Sequence, residues 1–334
     1  MILFFLISLF VLGTLFGSFS SVVIYRLRSG ESGTLSGRSH CLKCGNTLQA
    51  QHLVPIFSWL FQCGKCAFCK EKIPVVYPLL ELSSGILFMT LGYFLIDPYL
   101  ILSGSGFELF RLFFFLTLGF LTLVYVWYDI LFLEIPESIL LIANIGVFGG
   151  LILQGYGYYI FPYLPLGGLT FEVIILSGVV IGILYTIFLA GLREIYDGLL
   201  LLLCIFLIAG YIYFSDMGVQ SSALLSGTIA ALIIYISFFL QIVLSGGRAM
   251  GAGDLRIAIL MGLIVGVGFA FPAWMICYII GSVIGIGVLL RQKVQKNINS
   301  VGHQIPFGPF IACGYLGVLF FAPQISQFIE WYFY

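Results

Sequence analysis

Charge is what this sequence lacks most. Asp, Glu, Lys and Arg make up only 8% of its 334 residues, against 61% apolar residues. That balance excludes a soluble globular domain and leaves an all-α polytopic membrane protein. The 14 basic and 14 acidic residues cancel, so no positive surplus points to a nucleic-acid partner, and none is expected. The first 25 residues have neither a basic leading segment nor a small-residue cleavage site. They are expected to remain as a membrane span and not to be removed as a signal peptide. No internal repeat is evident. Aromatic residues are plentiful, with 33 Phe and 19 Tyr, as suits side chains facing the lipid bilayer and its interfaces.

A helix needs about 20 apolar residues to cross the hydrocarbon layer. Runs of this kind fall at 2–25, 79–96, 107–128, 137–154, 169–191, 198–214, 222–244, 255–271, 273–290 and 306–323. They predict a helical bundle of about 8–10 spans. The stretch 255–290 is too long for one crossing, and Pro272 is its expected dividing point. Seven of the 14 Lys and Arg residues lie between Arg26 and Lys72. The positive-inside rule puts that loop in the cytoplasm and the N-terminus outside. Alternation from there also puts Arg193, Arg248, Arg291, Lys293 and Lys296 inside. The outside loops 97–106, 155–168 and 215–221 contain no Lys or Arg.

The cytoplasmic loop carries Cys41-Leu-Lys-Cys44, then 21 residues, then Cys66-Ala-Phe-Cys69. Two CxxC knuckles at this separation predict a tetrahedral thiolate site for structural zinc, a zinc-ribbon-like unit. Cys63 and His40 are alternative ligands, and a redox dithiol or a reduced cluster without metal is the competing reading. A disulfide pair does not suit a reducing compartment. Gly45 and Gly64 stand beside the knuckles, where tight turns are wanted. Cys204, Cys277 and Cys313 lie in expected spans and read as small packing residues.

Two lone aspartates, Asp129 and Asp254, sit at the edges of apolar runs, where a carboxylate is expensive to keep. Alternation puts both at cytoplasmic helix ends, at similar depth. Asp254 closes Gly251-Ala252-Gly253-Asp254. Either residue alone fits a helix terminus, since Asp is a favoured capping residue. As a pair, two close carboxylates share one proton. One then takes a proton from water while the other donates to a carbonyl oxygen, which is aspartic-protease chemistry. Gly251 and Gly253 are expected to let the backbone turn sharply and a substrate approach closely. Glu134 reads as a loop carboxylate. Glu137 follows Pro136 in a first helical turn that favours negative charge. Arg193, Glu194 and Asp197 are expected in a solvated loop. Glu81, near the start of a span, either serves a site or faces headgroups.

With these residues in view, the chain resembles the type IV prepilin peptidases (prepilin leader peptidase/N-methyltransferases), a GxGD intramembrane aspartic protease family. Gly17-Ser18-Phe19 through Val22-Val23-Ile24-Tyr25-Arg26-Leu27 resembles the family's N-terminal signature. The CxxC knuckles flank Pro55-Ile56-Phe57-Ser58-Trp59. Tyr77-Pro78-Leu79-Leu80-Glu81-Leu82, Asp129 with Pro136, Gly251-Ala252-Gly253-Asp254 and Ile305-Pro306-Phe307-Gly308-Pro309-Phe310 follow in the family's order. The resemblance implies cleavage of type IV prepilin or pseudopilin leaders after a glycine, on the cytoplasmic side of a prokaryotic inner membrane. It implies N-methylation of the new terminus from S-adenosyl-L-methionine, with no residues assigned to that cofactor. It makes Asp129 and Asp254 catalytic and Cys41, Cys44, Cys66 and Cys69 zinc ligands. Departures from the family pattern are Ser21, Arg28, His52-Leu53 and Pro136-Glu137. All but the last lie in the part associated with methyl transfer.

The implied domain order is a first span at 1–25, a cysteine-rich domain at 26–78 and a peptidase domain at 79–334, with 169–214 a two-span insertion. The aspartates are 125 positions apart, more than the family pattern leads one to expect. Two readings compete with the peptidase. One is an ion- or proton-coupled transporter using Asp129 and Asp254 as relays. The other is a scaffold whose cysteine loop binds a partner.

Overall fold

The computed structural model describes residues 1–30, 39–41, 43–189, 194–215, 222–248, 250–294 and 305–333. Among these the chain is helical, and the only sheet-like pairings are two isolated bridges, His40 with Thr47 and Lys65 with Lys72. The helices are α1 (Ile2–Ser29), α2 (Phe57–Phe61), α3 (Val76–Leu95), α4 (Pro98–Leu102), α5 (Gly106–Phe132), α6 (Glu137–Gly155), α7 (Phe171–Leu189), α8 (Glu194–Ser215), α9 (Ala223–Ser245), α10 (Asp254–Val294) and α11 (Gly308–Phe333). Seven of them, α1, α3, α5, α6, α9, α10 and α11, are long and apolar enough to cross a membrane. The shorter apolar stretches Phe171–Ile187 and Asp197–Tyr213 lie in α7 and α8. The fold is that of a polytopic α-helical membrane protein. It divides into two compact units, Met1–Tyr128 and Asp129–Tyr334.

In the first unit α1 and α3 meet backbone to backbone. A Cβ at Gly13 would lie 2.6 Å from the Ser84 carbonyl and 2.8 Å from Gly85 Cα. Lipid tails are as apolar as leucine, so spanning helices associate through such close small-residue contacts. Phe16 meets Phe120 edge-on at 5.7 Å, and Trp127 Nε1 donates to Ser83 Oγ at 3.0 Å. These contacts bring α5 onto the pair.

In the second unit α10 is central, against α6, α9 and α11. Its helical path breaks at Gly266 (φ 66, ψ 174), and Pro272 lies inside the helix. The expected dividing point was therefore misplaced. A left-handed φ suits glycine, while Pro272 keeps helical dihedrals. The polar groups freed by the break are satisfied within the protein, as lipid demands. Val267 N–H donates to Ser226 Oγ at 3.0 Å, and the Ile264 carbonyl accepts from Tyr163 OH at 2.9 Å. Beyond α6, Gln154 organises the following loop. Its amide nitrogen donates to the carbonyls of Phe161 and Leu164, and its oxygen accepts from the N–H groups of Ile160 and Phe161.

Helices α7 and α8 pack within this unit, against each other and against α9. Asn144 Nδ2 of α6 donates to Tyr185 OH of α7 at 2.8 Å. Asp197, expected in a solvated loop, is instead buried in α8, because that helix begins at Glu194 and carries residue 197 inward. Arg193, expected in the same loop, lies outside the described residues.

Candidate functional site

The cysteine-rich segment is built from two matching knuckles. In the first, Cys41 N–H donates to Asn46 O and Gly45 N–H to Cys41 O. In the second, Cys66 N–H donates to Glu71 O and Lys70 N–H to Cys66 O. The residue after each second cysteine is left-handed, Gly45 at φ 71 and Lys70 at φ 58. Gly64, also left-handed, serves a different purpose: it lies against the Trp59 ring. The ligand atoms of Cys41, Cys44, Cys66 and Cys69 all lie within 4.8 Å of one another, and Cys41 and Cys69 Sγ are 3.9 Å apart. Zinc–sulfur bonds of about 2.3 Å place tetrahedral sulfurs roughly 3.8 Å apart, so the set fits a zinc ion. Cys63 and His40 stand outside this cluster.

The thiols are poised unequally. Backbone N–H groups of Cys44 and Lys43 hold Cys41 down at about 6. Cys69 is pushed up to about 11: the Glu71 N–H favours its thiolate, but desolvation and the thiols of Cys66, Cys44 and Cys41 outweigh it. A divalent cation would relieve that competition. Purified protein is expected to carry one zinc per chain, and Cys66→Ser to lose it, as read by elemental mass spectrometry. Lys70→Gly is expected to stabilise the knuckle by about 1 kcal/mol, because it removes a side chain from a left-handed position. Chelator competition for the metal measures that gain.

The aspartates converge in the second unit. Asp129 lies in the last turn of α5, four residues before Leu133, which turns out of the helix at φ 54. Asp254 opens α10. Each is only 5% exposed, and the two carboxyls lie within electrostatic reach of each other. Asp129 Oδ2 accepts from the Gly308 N–H, at the start of α11, at 2.9 Å. Asp254 Oδ2 accepts from Gly251 N–H at 3.2 Å. Both carboxylates are thus met by N–H groups at helix N-termini or their leading turns, where negative charge is favoured. Among the described residues these bonds engage one oxygen of each acid, Oδ2.

The motif turns as expected, with the Asp254 N–H bonded to the Gly251 carbonyl at 3.1 Å, but without a left-handed glycine. Neither Gly251 nor Gly253 has positive φ. A Cβ at Gly253 would press on Ile135 at 3.0 Å, and one at Gly251 would stand 3.7 Å from Asp254 Oδ2. Gly253 therefore lets the Asp254 loop seat against the segment that follows Asp129. Gly308 is tighter still. Its Cβ would lie 2.7 Å from Asp129 Oδ2 and 3.2 Å from Ile257, one turn past Asp254. Gly308→Ala is expected to displace the Asp129 carboxylate and to lower turnover about 10²-fold, the scale of an ångström misplacement. Single-turnover rates on a fixed substrate check it.

Residues 11–95 match the family described as the bacterial peptidase A24 N-terminal domain. A prepilin leader peptidase/N-methyltransferase from Bacillus subtilis is 26% identical over 320 residues, covering 96% of each chain. The enzymes of that name from Myxococcus xanthus and Vibrio cholerae are 43% identical over 84 residues and 37% identical over 118 residues. Those two matches span 25% and 47% of the relatives' own lengths. Over 96% of its length the chain is thus similar to a prepilin leader peptidase/N-methyltransferase. No solved structure matches it. The cysteine knuckles and Glu81 fall within the matched 11–95.

Two further residues at the site were not anticipated from the sequence. Gly308 was visible only as part of Ile305-Pro306-Phe307-Gly308-Pro309-Phe310. Arg256 was passed over, although a cation two residues into an apolar run is itself a signal. It is 3% exposed and donates to Glu137 Oε1 at 2.6 Å. The pair ties the first turn of α10 to the first turn of α6, and so links the segments carrying the two aspartates. Glu137 thus does more than complement its helix dipole. Glu81 accepts from the Ile56 N–H at 2.7 Å and so holds the cysteine-rich segment to α3.

Proposed function

We propose that this chain is an intramembrane aspartic endopeptidase that removes the leader of type IV prepilins or pseudopilins. The observation that carries the reading is the placement of two buried carboxylates, Asp129 and Asp254, within reach of each other's charge. The similarity supports the substrate class, since the relatives are named for prepilin leaders.

In this reading the two acids hold one proton between them. The ionised carboxylate takes a proton from water as the water oxygen bonds to the scissile carbonyl carbon. The protonated one donates to the carbonyl oxygen, giving a neutral gem-diol. Collapse breaks the C–N bond. The departing amine takes the proton that came from water, and the other carboxylate recovers its own from a diol hydroxyl. The N–H groups of Gly308 and Gly251 orient one oxygen of each acid, leaving the other for the reaction. The Glu137–Arg256 pair keeps the acids' supporting segments together.

The cut lies on the cytoplasmic side of a prokaryotic inner membrane, with the N-terminus outside. The Lys and Arg cluster between Arg26 and Lys72 supports this orientation. The residues at 169–214 form a two-helix insertion in the peptidase domain. N-methylation of the cleaved terminus from S-adenosyl-L-methionine completes the proposal, with the zinc-loaded knuckles shaping the segment concerned.

The test is mass spectrometry of a type IV prepilin's N-terminus after co-expression with this protein. Loss of the leader supports the peptidase, and one added methyl group on the new terminus supports the transferase. A prepilin left intact by folded, membrane-inserted protein rejects the assignment.

A further inference from the structure

The cysteine-rich segment turns an apolar surface outward that its own fold leaves bare. Leu53, Val54, Phe57, Leu60 and Phe61 are all exposed, Phe61 by 84%. They lie on α2 and just before it, and the Phe57 and Phe61 rings stack at 6.5 Å. Trp59, on the same helix, is fastened the other way. Its Nε1 donates to Ile73 O at 3.1 Å and its ring covers Gly64. One face of α2 is therefore anchored to the knuckles, and the other is greasy and open.

Two observations identify what covers it. The first is depth. The Ile56 N–H is bonded to Glu81 Oε2 at 2.7 Å. Glu81 lies five residues inside α3, about 7–8 Å along its axis at 1.5 Å per residue. Helical side chains lean back toward the N-terminus, which brings the carboxylate nearer the membrane surface. The 20 residues of α3 just match a hydrocarbon layer of about 30 Å. The bond thus holds Ile56, and Phe57 beside it, at the level of the interface. Ile56 adopts φ 62, a conformation a β-branched residue keeps only when its surroundings hold it there. The second is charge. The described residues of 39–75 carry Lys43, Lys65, Lys70 and Lys72 against Glu71 alone. That surplus complements an anionic leaflet. A soluble partner would account for the apolar face but not for its depth.

We propose that the face formed by Leu53, Val54, Phe57, Leu60 and Phe61 docks into the anionic lipid interface, as an interfacial apolar element flanked by lysines. The four-cysteine cluster is thereby held against the bilayer and does not project freely from it. The inference rests on the membrane placement proposed above, and not on the aspartate chemistry.

The experiment places the photoreactive residue p-benzoylphenylalanine at position 61 of the full chain, reconstituted in nanodiscs containing anionic phospholipid. The same probe at Ile86, exposed on the spanning helix α3, marks full lipid contact, and at Gln51, exposed in the loop, it marks water. After illumination, intact mass spectrometry counts lipid adducts. The expected result is an adduct yield at 61 close to that at 86 and several-fold above that at 51. Cross-linking of position 61 to a second copy or to another protein overturns the proposal. So does a yield no higher than at 51 while 86 labels normally. Prepilin cleavage by the same preparations is scored separately, so failure of the docking and failure of the peptidase assignment are distinguishable.

Discussion

Asp129→Asn and Asp254→Asn each leave the prepilin leader in place. A positioned acid or base contributes about 10²–10⁴-fold to a proton-transfer step, and here each acid takes both roles in one cycle. Asn keeps the shape of Asp and can still accept from Gly308 or Gly251, so the loss falls on chemistry and not on packing. In the proposed mechanism the two acids share a proton and act as one device. The double variant is therefore expected to be no worse than either single variant, the non-additivity typical of groups that act together. Leader removal by the variants in membranes, scored beside their insertion and expression, is the measurement. Full processing by both single variants ends the aspartate assignment. A graded loss that multiplies in the double variant shows that they act separately.

Gly262→Val unfolds the second unit. A Cβ at Gly262 would run into the Ala231 backbone and lie 2.7 Å from the Ala230 carbonyl carbon. Gly227 stands in the same relation to Leu263, its Cβ 2.9 Å from that carbonyl oxygen. Helices α9 and α10 touch through main chain at these two points, so no side-chain rotation makes room. Overpacking of a tight core costs about 1–3 kcal/mol, and more when backbone must move. For Gly262→Val a loss of at least about 3 kcal/mol is expected on this scale. It would appear as a lower midpoint in mixed-micelle SDS unfolding. Gly285→Val, on the same helix with open space around its Cβ position, should unfold near the wild-type midpoint. Equal midpoints for the two variants would contradict the close packing of α9 on α10.

Much of this was legible before any coordinates. The apolar runs foretold the helices because burial in lipid is a property of a continuous segment. The knuckles foretold a four-thiolate cluster because Cys41 with Cys44 and Cys66 with Cys69 are close along the chain, and a CxxC turn brings its own sulfurs together. Asp129 and Asp254 drew notice because charge in an apolar run is costly. The errors have physical causes. Pro272 is the break that residue type suggests, but Gly266 adopts the left-handed φ, and the polar groups it frees find Ser226 and Tyr163. Asp197 reads as a loop residue because the start of α8 carries no apolar signal. Arg256 escaped notice because its partner, Glu137, is 119 positions away.

The sequence by itself determined the membrane class, the approximate spans, the thiolate cluster and the identity of the two rare acids. Each of these depends on residue type and short-range spacing, which the chain carries everywhere it goes. Only the tertiary structure decided that Asp129 comes within reach of Asp254's charge, that the Gly308 N–H meets Asp129 across 179 positions, and that Glu81 holds the cysteine-rich segment. Such contacts form when helices with small residues pack closely enough to bring distant ends together. The geometry of that packing belongs to the whole bundle and to no single stretch of it.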